Sequence, residues 1–87
     1  MAEIHLPPTL IPLFADLPRR VDVEARTVAE ALDRLEERWP GLRDRLCEPG
    51  PRLRRHIHVY ADGERAGLET ALGGRVRVDV IAAISGG

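Results

Sequence analysis

Thr27-Val28-Ala29-Glu30-Ala31-Leu32-Asp33-Arg34-Leu35-Glu36-Glu37-Arg38-Trp39 is the stretch on which the architecture turns. Its opening is a capping box: the Thr27 hydroxyl can accept from the Glu30 amide, and the Glu30 side chain can return to the Thr27 amide. Val28, Ala31, Leu32, Leu35 and Trp39 then share one helical stripe, and Glu30, Asp33, Arg34, Glu36, Glu37 and Arg38 take the wet side. Pro40-Gly41 stops the helix. One such stripe can be buried only against one face of a sheet, so the flanking sequence must supply strands.

Upstream, Ile4 and Leu6 alternate with Glu3 and His5, and Val21 and Val23 alternate with Asp22 and Glu24. Pro7-Pro8 ends the first strand, because proline donates nothing to a ladder. Thr9 to Pro18 has no clean period and reads as a loop with a helical turn, packed over one end of the core. Two strands joined in this way pair antiparallel. Downstream, Leu42 and Leu46 mark a further helical turn, and Glu48-Pro49-Gly50-Pro51 is a loop. Arg55 to Ala61 reads as a third strand, with Ile57, Val59 and Ala61 on one face and His56, His58 and Tyr60 on the other. Asp62-Gly63 is a turn dipeptide that tolerates positive φ. Glu64 to Leu72 reads as a short edge strand followed by a helical turn. Gly73-Gly74 leads into Arg75 to Ile81, where Val76, Val78 and Val80 face the core against Arg77, Asp79 and Ile81.

The order β-β-α-(turn)-β-β-β, with one amphipathic helix, predicts a two-layer α+β domain. Placing the first and last strands centrally and parallel makes it a β-grasp fold, a mixed sheet of four to five strands with one main helix on one face. Residues 1–81 are then the domain and 82–87 a flexible tail that leaves the end of the sheet.

Eighty-seven residues suffice for one domain. A hydrophobic content of 44% beside 31% charge suits a soluble globule and argues against disorder. The formal charge of -1 gives no whole-protein field towards nucleic acid or anionic lipid. The longest apolar run, Val80 to Ile84, is too short to span a membrane, and the N-terminus lacks a secretory pattern. The single cysteine, Cys47, rules out an internal disulfide and fits a reducing cytoplasm. All 13 basic residues are arginine, so the chain offers no lysine acceptor for linkage to itself.

Within Ala82-Ala83-Ile84-Ser85-Gly86-Gly87, a carboxylate on the side-chain-free Gly87 is the one reactive handle presented plainly. The domain then reads as its holder; a frayed end is the bland alternative. His56 and His58, at i and i+2, are candidate metal ligands, but with no third ligand nearby an exposed sheet face is the preferred reading. Cys47 lacks an assigned base and reads as a packing thiol rather than a nucleophile. Arg52, Arg54 and Arg55 form a solvated strand entrance or a docking patch for an acidic partner. Trp39 is core. His58, Tyr60 and Ile81 lie on the sheet face away from the helix and present aromatic and apolar groups to water, a candidate partner-docking face.

Ile4-His5-Leu6-Pro7, Thr27 to Leu32, Pro40 to Leu46, His58 to Glu64 and Ile81 to Gly87 occur in an order that resembles the MoaD/ThiS family of small ubiquitin-like sulfur carriers. The early proline and the long loop Cys47 to Arg55 look most like the branch serving cysteine biosynthesis. Ala82 stands where members often carry proline. The resemblance implies a carrier that is not itself an enzyme. An E1-like activating enzyme of MoeB/ThiF type uses ATP to adenylate Gly87, and a sulfur donor converts it to a thiocarboxylate for a sulfur-accepting synthase. Ile84, Ser85 and Gly86 thread into the partner's cleft, where glycine at both final positions lets the backbone pass a narrow channel at no Cβ cost and Ser85 is small. It implies no tightly bound cofactor and no metal. Two readings of another class stand beside it: a protein modifier conjugated through Gly87, and a β-grasp interaction module with an inert tail.

Overall fold

The computed structural model describes residues 1–83. Strands β1 (Ala2–His5), β2 (Arg20–Val23), β5 (Ile57–Ala61), β6 (Glu64–Ala66) and β7 (Val76–Ala82) form one sheet in the order β2-β1-β7-β5-β6. β1 and β7 are central and parallel, with Ile4 beside Val78; every other pairing in the sheet is antiparallel. The helix α1 (Val28–Arg38) buries Val28, Ala31, Leu32 and Leu35 as its stripe predicts. Against it lie Ala2, Ile4, Val21, Val23, Ile57, Val59, Val76, Val78 and Val80, the inward residues of four strands. Each fully buried aliphatic side chain contributes about 1.5–3 kcal/mol, and among the described residues no polar or charged side chain is buried with them. This is the β-grasp arrangement, with five strands in the sheet.

Three features differ from the sequence expectation. The Glu30 amide does donate to Thr27 Oγ1 at 3.1 Å, but the Glu30 carboxylate accepts from the Arg26 N–H (2.9 Å) rather than from Thr27. The cause is a remote segment clasping the helix entrance. Leu72 N–H donates to the Arg26 carbonyl, while Val28 and Ala29 N–H donate to Thr70 and Leu68 carbonyls. Ala31 N–H makes the first intrahelical bond, to the Thr27 carbonyl, so the three amides before it, of Val28, Ala29 and Glu30, are satisfied from outside the helix ladder, two of them from about forty residues away in the chain. For the same reason the helical turn expected before Leu72 is absent. Gly67 to Thr70 is a β-turn, closed by Thr70 N–H to the Gly67 carbonyl and Gly67 N–H to Thr70 Oγ1, and Ala71 then bridges Thr27.

Second, the Cys47–Leu53 region is a small hairpin rather than plain loop. β3 (Cys47–Glu48) pairs with β4 (Arg52–Leu53), and Arg52 Nε reaches Glu48 Oε2 at 2.7 Å across it. Third, β5 begins at Ile57 and not at Arg55, because Ile57 N–H closes a turn onto the Arg54 carbonyl. The short helix α2 (Leu42–Leu46) sits as expected after Pro40-Gly41. Glu36 orients it: one carboxylate accepts from both Gly41 N–H (2.9 Å) and Arg43 N–H (2.8 Å). The predicted turn at Asp62-Gly63 has φ of 48° and 86°, the two positive values a tight hairpin requires.

Candidate functional site: the root of the C-terminal tail

β7 runs through Ala82, and the Ala83 N–H still donates to the His56 carbonyl at 2.8 Å. The chain is therefore held by the sheet up to Ala83, two residues further than the sequence boundary at Ile81. Ile84, Ser85, Gly86 and Gly87, the residues expected to carry and thread the reactive end, lie outside the described residues.

The pairing of β5 with β7 decides what surrounds this root. His58 opposes Ile81 and Tyr60 opposes Asp79. Since neighbouring residues of a strand point to opposite faces, all three expected docking residues share the face away from α1. Ile81 is 46% exposed, whereas His58 and Tyr60 are half-buried. Arg65, opposite Tyr60 on β6, explains the difference. Its guanidinium carbon stands 5.9 Å from the Tyr60 ring centre, and Nη2 donates to His58 Nδ1 at 2.8 Å. A guanidinium has no acceptor, so His58 Nδ1 is the accepting atom of this contact. The expected aromatic and apolar face is thus narrower than its sequence suggests: Ile81 is its apolar part. The rest is charged, with Arg77 on Asp79 (3.1 Å) and His5 and Arg20 around Glu3. The Glu3 carboxyl is held below its ordinary range chiefly by its hydrogen bond from His5.

Three grooves of about 420–450 Å³ converge on this root. The first lies between Pro7-Pro8 and the end of β7, beside Ile81 and Ala82. The second lies on the other side of Ala82, between the Thr9–Leu13 loop and α2. The third is bounded by Arg55, His56, His58 and Ala83. His56 and His58 border it together, yet among the described residues no group of three potential metal ligands forms. Of the arginine cluster, Arg52 is tied to Glu48 and Arg54 Nε to the Asp44 carbonyl (2.8 Å), while Arg55 is exposed at the root itself.

Cys47 is 7% exposed, and burial pushes its thiol up, an effect that Arg43 and Arg54 partly offset. It is a packing residue. Trp39 is likewise core, with Nε1 donating to the Ala15 carbonyl at 3.2 Å and Arg38 lying 4.5 Å over the ring. Sequence reasoning missed the second groove because its wall, the Thr9–Leu13 loop, has no periodicity to show which way its side chains face. Among the described residues no helix is long and apolar enough to cross a membrane.

Comparison with known proteins agrees with this geometry. The ThiS family model matches residues 13–87. A chain of the BexX/CysO complex of Amycolatopsis orientalis superposes over the full length of both chains, with a TM-score of 0.86 at 26% identity. CysO of Mycobacterium tuberculosis gives 0.85 at 23% identity over 97% of this chain and 100% of its own, a likeness of fold. SAMP1 of Haloferax volcanii, small archaeal modifier protein 1, gives 0.77 at 32% identity over 99% of this chain and 98% of its own. No curated protein is matched by the sequence. A five-stranded grasp around one helix, a last strand that lies centrally in the sheet, and a family match through residue 87 together lead to one conclusion: the chain belongs to the ThiS family of ubiquitin-like small sulfur carriers.

Proposed function

We propose that this protein carries sulfur as a thiocarboxylate on Gly87, acting as a co-substrate of partner enzymes in the cytoplasm. A carboxylate is ionised at pH 7 and a poor electrophile. An E1-like activating enzyme of MoeB/ThiF type joins it to the α-phosphate of ATP and releases pyrophosphate. Hydrosulfide then attacks the acyl carbon of the adenylate; the C–S bond forms, the bond to AMP breaks with its electron pair, and a proton is lost. The thiocarboxylate is a soft nucleophile for a sulfur-accepting synthase. ATP belongs to the activating partner, and this chain supplies the acyl end and the surface by which it is presented. The likeness to a chain found in a BexX/CysO complex supports a role exercised with a partner protein.

The observation that carries this reading is the placement of β7. β7 lies centrally in the sheet, paired with β1 as far as Asp79 and with β5 through Ala82, and it delivers the chain to the surface at Ala83. The four residues from there to Gly87 can reach at most about 14 Å. The test is intact mass after incubation with the activating enzyme, ATP and sulfide. An oxygen-to-sulfur exchange is expected, and a chain lacking Gly86-Gly87 should lose it while melting at the wild-type temperature. Loss accompanied by a lowered melting point would instead mark the tail as structural.

A second reading has its own observation, the 32% identity to a small archaeal modifier protein. In it the Gly87 acyl group passes to an amine of another protein. A wild-type chain recovered from extract in amide linkage to a foreign lysine, with no sulfur exchange, would favour it.

A further inference from the structure

Among the described residues three large apolar side chains stand well out in water, Met1, Leu13 and Ile81. Ile81 flanks the tail root on the open sheet face. Leu13, 51% exposed, flanks it on the opposite side, above the groove between the Thr9–Leu13 loop and α2. The floor of that groove runs from Leu10 past Ile57 to Ala82, and Asp44, Arg45, Arg54 and His56 edge it. Arg55 extends this edge around Ala83. Three arginines against one aspartate therefore gather at one pole of a chain whose formal charge is -1. Arg54 is anchored on the Asp44 carbonyl, whereas Arg45 and Arg55 are exposed and form no ion pair among the described residues.

We propose that this groove is a second docking surface, distinct from the open sheet face, and that it takes a segment of the activating enzyme carrying an apolar side chain flanked by carboxylates. The inference rests on the carrier reading. Three considerations support it. The short reach beyond Ala83, at most about 14 Å, obliges any enzyme that takes the end to touch this pole. The local excess of guanidinium groups is complementary to carboxylates and steers them in, while giving little binding at high salt. Leu13 and the apolar floor supply the uncharged contact that gives such an interface its affinity. Because the groove and the open face lie on either side of the root, the enzyme would grip the strand end from two sides.

The test is ATP–pyrophosphate exchange by the activating enzyme of the same organism, measured against carrier concentration at low and moderate salt. It compares the wild-type chain with Arg45→Glu/Arg55→Glu and with Leu13→Asp. These side chains are exposed, so circular dichroism melts should match wild type. The double variant should raise KM by about tenfold or more at low salt, leave kcat within about twofold, and flatten the salt dependence. Leu13→Asp should raise KM at both salt concentrations. Wild-type exchange with both variants following the same concentration and salt curves would overturn the groove's role and leave the carrier reading standing. No exchange with the wild-type chain would refute the carrier reading and this inference with it. A dimer in sedimentation that Leu13→Asp dissociates would give the groove to a second copy of this chain, and the proposal would fail.

Discussion

Replacing Ala82 or Ala83 with proline puts the aim of the tail to a direct test. In an antiparallel pair, opposed residues alternate between those that exchange hydrogen bonds and those that do not. Asp62 N–H bonds to the Arg77 carbonyl and Ala83 N–H to the His56 carbonyl, so Tyr60 with Asp79 and His58 with Ile81 are the bonded pairs between them. Ile57 with Ala82 is a non-bonded pair, and the Ala82 N–H points away from β5. Proline at 82 therefore removes no bond of this ladder, and its demand for an extended preceding residue is met by Ile81 within β7. The expected change lies between none and a gain of about 1 kcal/mol from the restricted unfolded chain. Proline at 83 deletes the 2.8 Å bond to the His56 carbonyl. It should cost about 1 kcal/mol, or about 4–8 °C in melting temperature for a domain of this size. The assay is a thermal melt of both variants by circular dichroism, with hydrogen exchange of the Ala83 amide in the wild type. Equal destabilisation by the two prolines would refute the register. A one-residue slip would also turn Ile81 inward and empty the open face of its apolar group.

Glu36 makes stability depend on pH. The Gly41 N–H and then the Arg43 N–H hold its carboxyl below the ordinary 4.5. Its contribution is complete above that pH and is lost as pH falls through the lower native value. Glu36→Gln should cost about 1 kcal/mol at pH 7, and the gap to wild type in urea unfolding should narrow below pH 4.5; a gap independent of pH would show that the ionised form is not what α2 needs. Cys47, buried and with its thiol pushed up, should react with iodoacetamide in the native chain about two orders of magnitude more slowly than in urea. Comparable rates would mean that the α2–β3 corner opens readily.

Much of the fold was legible because its signals are local and periodic. The α1 stripe, the alternation of Val76, Val78 and Val80, and the Asp62-Gly63 turn each follow from side-chain geometry within one element. Their order then admits few ways to cover one helix with one sheet. The segment Leu68 to Thr70 shows the limit: nothing in it announces that its carbonyls cap a helix forty residues earlier, since a backbone carbonyl carries no residue-specific mark. The two-residue strands β3 and β4 are too short to show alternation.

At the site the division is similar. The chemical type of the end, the alternation that puts His58, Tyr60 and Ile81 on one face, and the family likeness are properties of residue order, readable without coordinates. That the strand pairing reaches Ala82, and that Arg65 lies over Tyr60 and His58, depend on pairing between distant strands. So does the meeting of the Thr9–Leu13 loop, α2 and the end of β7 around one groove. Side-chain pattern states which face a residue prefers, whereas only the closed sheet states which residues, remote in the chain, share that face at a given point.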